Sequence, residues 1–214
     1  MTSLTVFGGS GYAGSHVVEA AAVRGLEVRS VTRSEVAEQI AGVDYVRGSI
    51  LDAASRSRAL EGADVVLVAV SPRGDMAGKV RPAVAALAEE AARAGVRLGV
   101  IGGAGSLHAR EGGPRLAETP EFGDEYRPEA LEMAGVLDDL LASAEELDWF
   151  LVSPPGEFGP WAPGEYTGEY RVGGDVVLTD EQGRSTIGGA DFGVAVVDEI
   201  EEPKHRRARF TVAY

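Results

Sequence analysis

Leu4-Thr5-Val6-Phe7 runs straight into Gly8-Gly9-Ser10-Gly11-Tyr12-Ala13-Gly14, with Gly8, Gly11 and Gly14 spaced three apart. These residue types suit the holding of an anion rather than the making of bonds. Gly8 permits a sharp turn off a strand, and Gly11 has no Cβ to keep phosphates away from the backbone. Gly14 lets the following helix lie close to the sheet. The helical pattern Val17, Val18, Ala21, Ala22 begins at once. The unpaired N–H groups of its first turn therefore face whatever the glycine turn holds. Strand, glycine turn and helix in this order make a seat for a pyrophosphate. A tight turn without a ligand is the alternative, because the chain has 29 glycines.

A second chemical signal follows at Val31-Thr32-Arg33-Ser34. A site built for NAD places an acid at the end of the second strand, about 20 residues after the glycines, to hold the ribose 2′-hydroxyl. This chain offers Arg33 instead, and Glu27 stands at the wrong end of the strand to replace the acid. A guanidinium pairs bidentately with a 2′-phosphate that a carboxylate would repel, so NADP(H) is favoured over NAD. A solvated arginine at a strand end is the other reading. In Gly48-Ser49-Ile50-Leu51-Asp52, Ser49 and Ile50 would border the adenine, and Asp52 serves equally well as the cap of the next helix. Ala69, Val70 and Ser71 end the fourth strand, across the switch point from the first, and should line the cofactor cleft.

The elements that must position these groups are legible as apolar runs at Leu4–Phe7, Val28–Thr32, Val43–Arg47, Val65–Val70, Leu98–Ile101, Trp149–Ser153 and Phe210–Val212. Helical patterns lie between most of them. These are Gly14–Arg24, Asp52–Leu60, Arg81–Ala94 with Pro82 in its first turn and Gly95 beyond its end, Pro128–Leu147 and Ala190–Glu201. Pro128–Leu147 is the longest, with Leu131, Val136, Leu140, Leu141 and Leu147 on its apolar stripe. Near-continuous Val and Leu strands alternating with helices predict a parallel sheet covered on both faces. Right-handed crossovers then make a single-domain, doubly wound α/β fold of Rossmann type over residues 1–214 the economical solution. Two Gly- and Pro-rich stretches, about 102–127 and 154–189, follow strand ends and read as substrate loops, the second with a small accessory region.

Bulk properties bound the partners. The chain has 214 residues, no cysteine and a formal net charge of −14. Its acidity argues against nucleic acid or an anionic membrane surface, and the lack of cysteine removes disulfides and thiolate chemistry. No apolar run approaches the length of a membrane span, and the first strand begins too early for a signal peptide, so a cytoplasmic protein with a small-molecule substrate is expected. Oligomeric state is not encoded in any motif. The Glu-rich segments Glu118–Glu129 and Asp198–Glu202 lack metal-cage spacing, so no metal is expected, and they read as solvated faces. Lys204–Arg209 reads as a surface run.

Taken together, the Gly8–Gly14 turn, Val31-Thr32-Arg33, Gly48–Asp52, Gly102-Gly103-Ala104-Gly105, Leu147-Asp148-Trp149 and Ser153-Pro154-Pro155 resemble the atypical short-chain dehydrogenase/reductase family. The resemblance is to its NAD(P)H-binding, NmrA-like branch, which includes the flavin and biliverdin-IXβ reductases, and it covers essentially the whole chain. It implies that Gly8 to Gly14 hold a pyrophosphate and Arg33 a 2′-phosphate. It also implies that the turns after Ile101 (Gly102, Gly103) and after Val152 (Pro154, Pro155) flank the nicotinamide. Relatives usually place an aspartate where Ser49 stands and, in the reductases, a histidine where Gly156 stands.

The proton donors of the family are missing. The Tyr-x-x-x-Lys dyad cannot form, because the only lysines are Lys79 and Lys204, preceded four residues earlier by Asp75 and Ile200. Tyr126 sits near the dyad position, with Ala130 where the lysine would be. Ser106, His108 and Tyr126 are the remaining candidates, His108 being best suited near neutral pH. A loop histidine and a turn-forming serine are the bland alternatives, and His16 reads as packing or surface. Trp161, Tyr166 and Tyr170 would stack on a flat substrate or form a small aromatic core. The implied activity is hydride transfer from NADPH to a flavin- or quinone-like acceptor. A non-catalytic NADP(H) sensor and an NADP-dependent epimerase-like enzyme are the alternatives.

Overall fold

The computed structural model describes residues 1–214. Its strands are β1 (Ser3–Phe7), β2 (Glu27–Thr32), β3 (Asp44–Arg47), β4 (Val65–Val68), β5 (Arg97–Ile101), β6 (Trp149–Ser153), β7 (Arg171–Gly173) and β8 (Ala208–Ala213). Its helices are α1 (Tyr12–Val23), α2 (Ala53–Leu60), α3 (Val80–Ala94), α4 (Arg127–Leu141) and α5 (Gly189–Glu201). The strands form one sheet in the order β3-β2-β1-β4-β5-β6-β8-β7, parallel except for the β7–β8 pair. The chain steps outward from β1 through β2 to β3, then returns to β4 on the other side of β1. This reversal is the switch point of a doubly wound Rossmann-type fold.

Both faces of the sheet are covered, as its valine-rich strands require. In β4, Val66 and Val68 enter one apolar core, with Val84 and Leu87 of α3 and Leu137 and Leu140 of α4. Val65 and Leu67 enter the other, with Val17 and Val18 of α1 and Phe192 and Val196 of α5. Local signals set the helix ends. Asp52 caps α2, its side chain accepting from the Ser55 N–H at 2.8 Å, and Gly95 ends α3 at φ +66°, in the left-handed conformation that glycine adopts freely.

Four expectations are corrected. The fourth helix stops at Leu141 rather than Leu147. There Ser143 turns its hydroxyl back onto the Leu140 carbonyl, and the Arg207 guanidinium collects the Ser143, Ala144 and Leu147 carbonyls. Its apolar stripe is also narrower, because Leu131 and Leu141 lie 48% and 57% exposed while Met133 and Leu137 fill the core. A short antiparallel edge strand, β7, forms inside the 154–189 stretch. Finally, two charged segments read as surface contribute internal groups. Glu199 is buried against Arg97 at 2.6 Å and His205 at 2.7 Å, and the Arg209 side chain is buried against Asp175. An arginine carried into the core on a strand needs a counter-charge there. Each of these finds one far away in sequence.

Candidate functional site

The parallel order brings the expected cofactor residues to one edge. Gly8–Gly14 follow β1, Thr32 and Arg33 end β2, and Ser49 and Ile50 follow β3. Ala69, Val70 and Ser71 follow β4, Gly102 and Gly103 follow β5, and Pro154 and Pro155 follow β6. All six turns leave the C-terminal ends of strands that are neighbours in the sheet, the edge where open α/β sheets bind ligands.

The glycine turn is built around close backbone approach. Gly8 has φ +84°, and a Cβ there would lie 2.5 Å from the Ala69 carbonyl oxygen and 3.1 Å from Val70. A Cβ at Gly14 would overlap the Gly8 carbonyl and come within 3.1 Å of the Ala69 side chain. Together these contacts set the start of α1 directly on β1 and β4. The N–H groups of Tyr12, Ala13 and Gly14 find no acceptor within the protein, whereas Ser15 already bonds the Gly11 carbonyl at 2.8 Å.

Carboxylates accept from the N–H groups at the starts of α2 and α3, and α4 and α5 each carry an acid in the first turn. Asp52 caps α2, and Glu132 accepts from the Gly78, Val80 and Arg81 N–H groups at the start of α3. Glu129 and Asp191 lie in the first turns of α4 and α5. The start of α1 has glycine at the cap and no acid in its first turn. A dinucleotide's pyrophosphate fits such a start, which carries positive partial charge and free donors.

Arg33 stands just past β2, half exposed, and its guanidinium is paired with the Asp75 carboxylate, a residue that sequence reading did not place here. This arginine is the hydrogen-bond donor that holds the Asp75 carboxyl below the usual carboxylate range. Thr32 is buried and donates to the Ser34 carbonyl at 2.8 Å, so its hydroxyl shapes the strand end. Ser49 Oγ accepts from the Leu51 N–H at 3.2 Å, and Ile50 is buried in the core. Ser10 and Ser71 are exposed, and Pro154 and Pro155 are buried. Tyr12 packs edge-on against His16 and Phe158, and its hydroxyl reaches the Pro163 carbonyl at 3.5 Å. Tyr12 thereby ties the glycine turn to the 154–189 stretch.

The three proton-donor candidates are not brought together. Ser106 is buried, donating to the Gly103 carbonyl at 3.0 Å, with Ser153 Oγ at 3.3 Å and an Arg209 nitrogen at 3.2 Å. His108 holds the Gly113 carbonyl through Nδ1 at 2.7 Å, and its backbone bonds Asp175 and Val177. Tyr126 is exposed beside Glu125, whose hydrogen bond and charge push the phenol up. Ala130, where the dyad lysine would stand, packs so tightly that a Cβ on Gly105 would lie 2.5 Å from it. Trp161 and Tyr166 are exposed, which rules out a small aromatic core, and Tyr170 donates to Asp198. No cluster of three or more His, Asp or Glu side chains could hold a metal ion, and no helix is long and apolar enough to cross a membrane.

Residues 8–203 match the model of the NAD(P)H-binding family. The chain belongs to that family. This NAD(P)H-binding protein is 34% identical over 217 residues to the uncharacterized protein YwnB of Bacillus subtilis, covering 97% of the chain and 96% of the relative. It is also similar to two solved structures. One is a candidate exported protein from Burkholderia pseudomallei, with 37% identity, full coverage of both chains and a TM-score of 0.89. The other is a candidate NADH-flavin reductase from Streptococcus pneumoniae, with 32% identity, coverage of 100% and 99%, and a TM-score of 0.85. The family and fold agree with the resemblance to the NmrA-like branch of the atypical short-chain dehydrogenases/reductases, and a nicotinamide dinucleotide is the cofactor class.

Proposed function

We propose that this protein is an NADP(H)-dependent oxidoreductase that passes hydride to a small, flat or carbonyl-bearing acceptor of flavin or quinone type. The observation that carries the reading is the pairing of a donor-rich, acid-free start of α1 with a guanidinium at the end of β2. The likeness to a candidate flavin reductase adds support for the acceptor class. The nicotinamide cofactor supplies the hydride when bound, and the protein supplies binding, orientation and a dry surface. In this reading the Tyr12, Ala13 and Gly14 N–H groups donate to the pyrophosphate, and Arg33 reads the 2′-phosphate. Ser49 and Ile50 border the adenine. Ala69, Val70 and Ser71 line the cleft, while Gly102, Gly103, Pro154 and Pro155 shape the nicotinamide end. We assign acceptor binding to the loops at about 102–127 and 154–189 of one domain spanning residues 1–214, and we place the protein in the cytoplasm, where reduced nicotinamides are regenerated.

Of the three donor candidates, only Tyr126 presents an exposed hydroxyl, while Ser106 and His108 have internal partners. A flavin or quinone acceptor can take its proton from water, so it makes the smallest demand on these residues. The same engagement of Ser106 and His108 favours, as a second reading, a protein that binds NADP(H) and signals without turnover. Mixing the protein with NADPH and a panel of flavins and quinones, and following loss of the reduced nicotinamide absorbance, separates the two. Saturable turnover is the expected result. Tight NADPH binding without turnover across the panel would refute the enzymatic reading in favour of the sensor.

A further inference from the structure

Arg33 already has a carboxylate partner. Asp75, which pairs with it, sits in the short 3-10 turn Gly74–Met76 after β4, while Arg33 directly follows β2. In the sheet, β1 separates those two strands. The ion pair therefore bridges the end of the strand from which the glycine turn leaves, and it brings an acid to the place where β2 itself supplies none. Both side chains are exposed, at 52% and 69%, so the pair sits where a ligand can reach it. The neighbouring cation on the same loop, Arg73, is occupied by Glu129 on α4.

From this geometry, and resting on the reading that Arg33 recognises the 2′-phosphate, we propose that Asp75 is a specificity-determining residue that competes with that phosphate for Arg33. When NADPH binds, the phosphate must displace Asp75 from the guanidinium or share it against charge repulsion. When NADH binds, Asp75 can stay on Arg33 and offer its free oxygen to the 2′-hydroxyl, the service an acid performs in NAD sites. The site therefore carries a reader for each dinucleotide, and Asp75 narrows the gap between them. Exposed ion pairs are modest in strength, which limits the effect to about fivefold in affinity.

The test is titration calorimetry of NADPH and NADH with the parent protein, Asp75→Asn, Arg33→Gln and the double variant. Asp75→Asn should tighten NADPH about threefold to fivefold and leave NADH unchanged or weaker. In the Arg33→Gln background the same change should have no selective effect, because its target is gone. If Asp75→Asn leaves NADPH binding unchanged, or strengthens both cofactors equally, Asp75 does not compete. If its effect persists without Arg33, it acts through overall charge and the proposal fails. Arg33→Gln alone reports on the underlying reading. Equal losses for both cofactors would refute phosphate recognition by Arg33, and the role of Asp75 with it. A selective NADPH loss beside a silent Asp75→Asn would refute only the role of Asp75.

Discussion

Replacing Gly11 with aspartate should make the protein more stable and unable to bind its cofactor. Gly11 is the N-cap of α1, with φ −78° and ψ 168°, an extended conformation that any residue can take at that position. A Cβ there would meet only the Gly8 carbonyl oxygen, at 3.3 Å, and the Ala69 carbonyl oxygen, at 4.0 Å. Aspartate can thus cap the free N–H groups with a shift of a few tenths of an ångström. Relative to glycine the cap contributes a few tenths of a kcal/mol, the helix dipole about 0.3–1, and the stiffer unfolded chain about 0.4–1. Set against the tight carbonyl contact, the net gain is about 0.5–1 kcal/mol, a rise in Tm of about 1–4 °C for a chain of this size. The same carboxylate would occupy the pyrophosphate's donors. At about 4 Å and an effective dielectric constant of about 20, each pair of like charges is unfavourable by about 4 kcal/mol. That is about a thousandfold in affinity. Gly11→Asn gives the matched control, since it caps without charge and should bind NADPH far better than the aspartate. Scanning calorimetry and NADPH titration measure both effects. An aspartate variant with a raised Tm and parental NADPH affinity would show that no pyrophosphate sits at the start of α1.

Two further outcomes follow from the packing. Gly14→Ala drives a Cβ into the Gly8 carbonyl and toward Ala69. It should destabilise by about 1–3 kcal/mol and weaken NADPH binding as α1 moves off the sheet, so an unchanged Tm would refute the close-packing role. Burial alone would raise the Glu199 carboxyl, but hydrogen bonds from Arg97 and His205 hold it below the ordinary range. Stability from this group is therefore complete above the unfolded glutamate pKa, about 4.3, and is lost as pH falls through the lower folded value. Glu199→Gln should cost about 1.5–3 kcal/mol in denaturant unfolding at pH 7, because the buried Arg97 loses its 2.6 Å partner and keeps only Asp148, 3.6 Å from its Nε, as counter-charge. It should also flatten the loss of stability below about pH 4. Equal acid sensitivity in parent and variant would exclude this carboxylate as a determinant.

What the chain reveals in one dimension divides along the range of the interaction. Turn glycines, caps and apolar runs act within a few residues, so Gly8 at positive φ, Asp52 on α2, Gly95 beyond α3 and the order of parallel strands were all legible. The end of α4 was not, because Arg207 draws away carbonyls some 60 residues earlier in the chain. Separations of 42 and 102 residues likewise hid Asp75 from Arg33 and Arg97 from Glu199. In a chain with net charge −14, most charges do resemble solvated faces, and a local window cannot tell which few are struts.

The acidity bears on the site itself. At the proposed site Arg33 and Arg73 are each matched by a carboxylate, so these two arginines add little net positive field, and Arg47 at the end of β3 is the nearby cation without an acidic partner. Backbone donors at the start of α1 add an attraction whose partial charges are fixed by the fold and scarcely screened at contact distance. A site of this kind depends less on arginine number than on the absence of an acid at one helix start. That absence is built by Gly11 and Gly14, and it distinguishes α1 from α2, α3, α4 and α5.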